Sequence, residues 1–532
     1  LVSCPNSGMS AGLEQTANKS ADALLLCIDI GTTAVKLLLV ESATRRILYS
    51  GSCNIEASPV STAPRQSVMS LHSILAAFSN LASKIDSHID GDDNMLGRVS
   101  DILLCGQMHG IAMWRSEQPL ASCSELVTWQ DGRCSLEFLQ SLPAPSRPEV
   151  VAPKSGFGLA TLLWWQRHQP DRLAEFDACG SAMDWLAALL IGGSGSVRMS
   201  GQLAASWGYF DLAGQRWDAD SLAAAGLPPR PRLPDIAPVG HVVGCLSPTL
   251  LTSLASGHAW AGRLPSSCRV RVPLGDLQCV VYSVYAPLQP STLSSTSTGP
   301  ADFDGRAFLN FGTSAQLGFL TSEPPQQPSV RDHAGIDCFP FFSPDRYVLL
   351  AASLNGGNVL AEFVQTLADW QEQLTGQRCP SETVWQRLQV LADEAKPASA
   401  SDPDPLISPT LLDERCGGGT QGGSVLGLRM SSCRSLGRLY RSVCLGLINN
   451  LLSLCPPAAL RQAGIDRIIL AGSALRRNAV LRRAAALRFD ECQFQSIVLE
   501  DGGARQQPAV ADGAAGLAAQ FLDWVAAGRG ES

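Results

Sequence analysis

The sequence predicts an α/β protein made of two similar domains. Three observations carry that reading. Short apolar runs of strand length alternate with stretches of helical period. A Gly-Thr turn between two strands occurs once in each half, in LCIDIGTTAVKLLLV and in LNFGTSAQLGFL. The chain of 532 residues is longer than one hydrophobic core usually organises. Two such domains facing each other across a central cleft would bring both turns toward one ligand.

Residues 1–22 are small and polar, without the basic head and apolar middle of a signal peptide, and are expected to form a disordered tail. The run ALLLCIDI ends near Asp29 and is too short for a typical helix, so it reads as a buried strand. AVKLLLVE and RRILYSGSC follow as the second and third strands of a meander, unlike the strand–helix–strand opening of a dinucleotide fold. Between Ser67 and Ile89, Val68, Leu71, Leu75, Phe78, Leu81 and Ile85 fall on one helical face. SDILLCGQMHGIAMW is strand, polar turn, strand, and helices are expected over 157–168 and 181–191.

Proline marks the joints. Residues 141–153 read as a loop, and 226–238, with five prolines, are expected to hold no regular structure. A strand-rich region starts at CRVRVPLGD, which puts the boundary near 265–272 and the domains at 23–268 and 269–532. The Ser/Thr-rich stretch 289–305 reads as an exposed insertion, and 397–424 as a second soft segment. RAFLNFGTSAQLGFL then repeats strand, turn, strand, and RIILAGSALRRN is strand, glycine turn, helix.

Composition narrows the function classes. With 40 basic and 48 acidic residues the net charge is -8, so no bulk polybasic surface for nucleic acid exists. No apolar stretch reaches 18 residues, so no membrane span is expected. Seventeen cysteines lie scattered without a CxxC pair or a metal-ligand cluster. They read as buried free thiols in a reducing, cytoplasmic setting, Cys27, Cys105, Cys279 and Cys444 among them.

Six segments can carry chemistry. Asp29 is followed by Gly31, Thr32, Thr33 and Lys36, a turn whose amides and hydroxyls suit an anion; a plain hairpin capped by threonines reads the same way. A carboxylate beside a phosphate calls for a divalent cation between them. Gly312, Thr313 and Ser314 form the second such turn, and the AGS at 471–473 opens a helix whose amides can hold a nucleotide. No Walker-type GxxxxGK[ST] occurs. QMHG at 107–110 and WQDGR at 129–133 each combine polar groups with a turn, for sugar binding or for local structure alone. Asp276, in GDLQ, is either a proton acceptor for a substrate hydroxyl or the head of an Asx turn.

Taken jointly, these segments resemble the carbohydrate kinase family that includes xylulokinase, gluconokinase and glycerol kinase. The likeness covers about residues 23–525 through CIDIGTTAVK, CGQMHG, WQDGR, GDLQ, NFGTSAQ, LNGGNVL, AGSALRRN and ADGAAGLAA. It implies two ribonuclease-H-like, actin-like domains enclosing ATP and a sugar, with the sugar and the first phosphate turn in the first domain and the nucleotide and base in the second. On this resemblance Asp29 is the metal-linked aspartate for Mg2+, and Thr32, Thr33 and Lys36 follow it as a phosphate turn. Gly312, Thr313 and Ser314 are the second phosphate turn, with Gly356, Gly357 and Asn358 near the nucleotide and Gly472, Ser473 and Asn478 near adenosine. Gln107, Met108, His109, Asp131 and Gln278 are sugar contacts, and Asp276 is the general base.

The chain departs from the family at MSGQLAASWGYFD (199–211), where Thr-Asp is usual, and at WQDGR, where WNDGR is usual. It also has AGSA for GGGA, which fits only if Ser473 keeps a negative φ. QMHG points to a ketose rather than glycerol. The branch that phosphorylates sedoheptulose matches best, with xylulose the second candidate. Neither a nucleic-acid nor a membrane partner is expected, and the chain is expected to be a monomer or homodimer. A non-catalytic sensor of the same fold is the rival reading, against which the intact Asp29 and Asp276 speak.

Overall fold

The computed structural model describes residues 23–56, 66–85, 95–193, 195–249, 259–285, 305–322, 335–343, 345–412, 414, 422–498 and 512–529. The expected N-terminal tail and nearly all of the 289–305 insertion lie outside them. The chain divides into two compact units. The first holds the described residues up to Tyr285 and again from Asp512, and the second holds those from 305 to 498.

In the first unit, strands β1 (Leu24–Ile30), β2 (Ala34–Glu41) and β3 (Ile47–Asn54) form the expected antiparallel meander. Strand β4 (Val99–Gly106) joins β1 in parallel, and β6 (Arg269–Arg271) and β7 (Leu274–Gly275) join β4 in parallel. Strand β5 (Val242–Cys245) closes the sheet, whose order is β5-β6-β4-β1-β2-β3. Every residue of β1 is buried, so its sequence is a continuous apolar run rather than an alternating one. Helices α1 (Leu71–Lys84) and α8 (Gly513–Trp524) pack on this sheet.

The second unit repeats the plan. Strands β8 (Arg306–Phe311), β9 (Ala315–Thr321) and β11 (Tyr347–Ser353) are antiparallel neighbours. Strand β12 (Arg467–Ala471) runs parallel to β8, and β13 (Gln495–Val498) parallel to β12. With β10 (Ile336–Pro340) at the edge, the order is β10-β11-β9-β8-β12-β13. With the edge strands β5 and β10 set aside, the remaining strands of both sheets run third, second, first, fourth, fifth. The second core packs Leu309, Phe311 and Leu317 against α4 (Gly357–Thr375), α5 (Leu436–Leu454) and α7 (Ala479–Glu491) through Leu360, Leu447 and Leu481.

Four expectations are corrected. The division between units falls after 265–272, because α3 (Asp276–Tyr285) packs along α8. At that crossing Gly516 lies so close to the Cys279 carbonyl oxygen that a Cβ would come within 1.7 Å. Asp276 thus belongs to the first unit, not the second. The helix expected from Ser67 begins only at Leu71, capped by the Ser70 hydroxyl, while Val68–Met69 pairs with Leu126–Val127. In the proline-rich stretch, Asp235–Ala237 fits between Pro234 and Pro238 and pairs in parallel with Arg198–Ser200. Within 397–424, Leu406–Ser408 pairs with Ser424–Leu426. The buried free thiols Cys27, Cys105, Cys279 and Cys444 are as expected, and no helix among the described residues is long and apolar enough to cross a membrane.

Candidate active site

Register brings Asp29 and Asp276 to one end of the sheet, at the ends of strands that both pair with β4. Asp29 on β1 and Leu274 on β7 both align with Cys105 on β4, and Asp276 follows directly as the first residue of α3. Both aspartates stand at the carboxyl ends of parallel strands that pair with β4, the edge at which open α/β sheets bind ligands. Asp29 is 5% exposed, and its Oδ1 has no hydrogen-bond partner among the described residues. Its Oδ2 lies 3.5 Å from Lys36 Nζ, across the β1–β2 pair. Lys36 also lies 3.5 Å from Asp512 Oδ2, while Asp512 Oδ1 caps α8 by accepting the Ala514 and Ala515 N–H groups.

Burial pushes the Asp29 carboxyl up to about 6, against the pull of the Lys36 ammonium. Asp276 is pushed up to about 7, by burial first and by the charge of Asp29 second. Its Oδ1 accepts the N–H of Leu277 (2.8 Å). A carboxyl that titrates near neutrality is suited to proton transfer at physiological pH.

The first turn is tight, Gly31 N–H donating to the Ala34 carbonyl (3.0 Å). Thr32 accepts the Trp129 indole N–H (2.8 Å), which ties the WQDGR turn to it, and Thr33 is exposed. Gln107 donates from its side chain to the Gly31 carbonyl (3.2 Å). Met108 and Gln278 meet at Gly275, where a Cβ would lie 2.8 Å from the Met108 sulfur and 2.3 Å from Gln278 Oε1. His109 has φ 77°, a left-handed conformation uncommon outside glycine. It is held there from several sides. Its ring stacks on Phe157 (centroids 4.6 Å apart), its Nδ1–H donates to the Ser206 carbonyl (2.9 Å), and its backbone N–H donates to the Ser206 hydroxyl (3.1 Å). Gln202 Oε1 accepts the Gly275 N–H (3.2 Å). The segment 199–211, which departs from the family, is therefore what supports QMHG and GDLQ.

Asp131 sits differently from expectation. Its carboxylate accepts two hydrogen bonds from the Arg133 guanidinium (2.7 and 2.9 Å), one from the Arg133 N–H (3.0 Å) and one from the Ser67 N–H (2.8 Å). With its lone pairs so committed it braces the turn rather than offering an open acceptor.

In the second unit three glycine turns converge. Gly357 N–H donates to the Gly312 carbonyl (2.9 Å) and Asn358 N–H to the Thr313 carbonyl (3.0 Å). A Cβ on Gly356 would lie 2.5 Å from the Ser314 carbonyl carbon, and one on Gly357 2.5 Å from the Gly312 oxygen. Gly472 has φ 104°, and a Cβ there would lie 2.5 Å from the Phe311 N and O atoms. The positive φ falls on Gly472, so Ser473 starts helix α6 (Ser473–Arg477) with ordinary geometry and is exposed. Thr313, like Thr33 of the first turn, is exposed. Asn358 Oδ1 accepts the Gly356 and Val359 N–H groups, both at 2.8 Å. Asn478, expected near adenosine, is committed elsewhere: it caps α7 through Val480 and Leu481 N–H and donates to the Tyr440 hydroxyl (2.6 Å).

Sequence reasoning did not single out Asp512, Ser206, Gln202 or Phe157. Asp512 lay within the quoted ADGAAGLAA, and an Asp before a small-residue helix is a capping signal; the other three carry no local signal.

A twice-built sheet of this order, with buried carboxylates on one copy and glycine turns on the other, is the frame of an actin-like sugar kinase. The chain belongs to the FGGY family of carbohydrate kinases, whose N-terminal domain matches residues 24–256. It is 35% identical over 504 residues to the sedoheptulokinase of Mus musculus, covering 90% of this chain and 96% of that one. To the sedoheptulokinase of Homo sapiens it is 35% identical over 498 residues, covering 88% and 94%. A xylulose kinase of Escherichia coli is 25% identical over 291 residues, 54% of this chain and 51% of that one. Among solved structures, a ligand-bound xylulose kinase from Lactobacillus acidophilus superimposes with a TM-score of 0.69 at 20% identity, over 96% and 90% of the two chains. A Plasmodium falciparum glycerol kinase with ADP gives 0.67 at 15% identity, over 96% and 93%. The two units are thus ribonuclease-H-like domains of this fold, and the protein is a carbohydrate kinase.

Proposed function

We propose that this kinase transfers the γ-phosphate of ATP to a terminal hydroxyl of sedoheptulose, giving sedoheptulose 7-phosphate, with Asp276 as general base. The observation that supports the base is its place: a carboxyl pushed up toward neutrality by burial, at the end of a strand that shares β4 with the strand of Asp29. Phosphoryl transfer is chiefly positioning and charge. The carboxylate of Asp276 orients the attacking hydroxyl by accepting its hydrogen bond and takes its proton as the bond to phosphorus forms. Met108, His109, Gln107 and Gln278 form the sugar side, and Asp131 braces it through Arg133. The turns at 312–314, 356–358 and 472–473 hold the nucleotide, with Asn478 supporting the third.

Asp29 fits a magnesium ion: Oδ1 is a hard oxygen donor, buried and unspent on any described group. Bound there directly or through water, the ion would neutralise charge on the phosphates. Lys36 adds a second cation at the same carboxylate.

The substrate rests on likeness over nearly the full length to two proteins named sedoheptulokinase. Sugar-dependent ADP release, with magnesium, over a panel of five-, six- and seven-carbon ketoses tests it. The highest kcat/KM is expected with sedoheptulose. Equal or better use of xylulose overturns the sugar assignment, and release of no ADP with any sugar overturns catalysis in favour of a sensor.

A further inference from the structure

The segment read from sequence as soft contains a carboxylate, Glu414, that accepts four hydrogen bonds from residues distant in sequence. Glu414 Oε1 accepts from the Ser353 hydroxyl, from Asn355 Nδ2 (2.9 Å) and from Asn450 Nδ2 (2.7 Å). Its Oε2 accepts the Leu354 N–H (3.1 Å). These donors come from the end of β11, the loop that follows it, and the C-terminal part of α5. Asn355 completes the clamp. Its side chain exchanges two hydrogen bonds with the Leu412 backbone, both at 2.8 Å, and it is fully buried. Ser353 Oγ accepts the Asn355 N–H (3.0 Å) and a second bond from Asn450 (2.9 Å).

What this network holds is the approach to the glycine turns. Leu354 and Asn355 lead straight into Gly356, the N-cap of α4, and the Leu354 carbonyl is gripped in turn by Asn358 Nδ2 (2.9 Å). The amides of Gly357 and Asn358 then fix the carbonyls of Gly312 and Thr313. A chain of contacts therefore runs from Glu414 through Leu354 and Asn358 to the 312–314 turn. Glycine-rich turns have no side chains to fix their own backbone, so the geometry must be imposed from outside. A buried polar network with its groups satisfied is a means of imposing one geometry. An apolar filler of the same volume would fill the space without specifying the loop.

We propose that Glu414 is a positioning residue for nucleotide binding, holding the 354–358 loop so that it aligns the 312–314 turn. The proposal rests on the reading that these turns bind the nucleotide. Glu414→Gln keeps the size but sets an NH2 group against at least one of the donors, opposing donor to donor.

The experiment uses the purified full chain. MgADP affinity is measured by calorimetry, KM for ATP and for the ketose by steady-state kinetics, and unfolding by thermal melt. Loss of one hydrogen bond to a carboxylate predicts MgADP affinity weaker and KM for ATP higher by about 10- to 100-fold, with the ketose KM within about twofold. A role in stability alone lowers the melting temperature without separating the two KM values, and that result overturns the proposal. So does unchanged MgADP affinity in folded Glu414→Gln. Should that variant not fold, Asn450→Ala removes one donor and keeps the carboxylate. A selective rise of about 3- to 10-fold in KM for ATP then supports the proposal, and no change in MgADP affinity overturns it. Wild-type enzyme that turns over a ketose but binds no MgADP at these turns, shown by unaltered affinity in Gly357→Val, defeats the underlying assignment of the turns rather than the clamp, and the proposal falls with it.

Discussion

The two sheets share a strand order but differ in what they place at their carboxyl edge. The first unit sets Asp29, Asp276 and Asp512 there, carboxylates in poor contact with water, with the half-exposed Lys36 against two of them. The second unit places glycine turns that touch one another, in which the shape of the backbone takes the part of charge. One strand plan thus carries two kinds of edge. Side chains with shifted titration suit proton transfer, whereas backbone amides and close packing suit the grip of a polyphosphate.

Asp276→Asn breaks the charged side of this contrast most severely. It keeps size and removes the proton acceptor, so kcat is expected to fall about 10²- to 10⁴-fold with little change in KM. Steady-state kinetics on the folded variant check it; near-normal kcat would place the base elsewhere.

Gly472→Ala probes the backbone side. The new Cβ meets Phe311 at 2.5 Å in a conformation of φ 104° that alanine disfavours. The strain costs about 1–3 kcal/mol, so KM for ATP should rise well beyond any change in ketose KM, with a lower melting temperature.

Titration separates the regions again. Activity that needs ionised Asp276 should rise as pH passes about 7. Stability runs the other way. A carboxyl whose folded value lies above its unfolded one stabilises the fold while protonated, and that contribution is lost as pH rises from about 4 to about 7. Asp276→Asn should therefore melt higher than wild type at pH 8, and the gap should close by pH 4. A variant equally or less stable at pH 8 would contradict the strained carboxyl.

The smallest effect belongs to Ser206→Ala. It removes one bond to the His109 backbone and leaves the carbonyl that holds the ring. A loss of about 0.5–1.5 kcal/mol corresponds to a rise in ketose KM of about two- to tenfold, with KM for ATP unmoved.

Much of this was legible in the sequence because strands and tight turns write themselves locally. Asp29 at the end of an apolar run, the Gly-Thr turn repeated in both halves, and AGSALRRN as strand, turn and helix all occupy the elements expected of them. Resemblance located the motifs, but side-chain engagement was out of its reach. Asp131 and Asn478 are spent on Arg133 and on capping, which no motif reveals. Ser206 beneath His109, and Lys36 against Asp512, join residues far apart in sequence, and periodicity reports only on neighbours. The boundary was misplaced for the same reason: α3 belongs with a helix from the far end of the chain.

That last helix has a consequence for synthesis. A ribosome releases β1 to α3 long before α8, so the nascent first unit must wait, with the surface of α3 at Cys279 uncovered, while the whole second unit emerges. Lys36 receives its second counter-ion only when Asp512 appears. The second unit is in effect an insertion within the first, free to fold while its host remains unfinished. Completion of the first unit thereby waits for the segment that follows the second, and a stalled or clipped product that lacks α8 carries Asp29 and Asp276 without the helix that packs on α3.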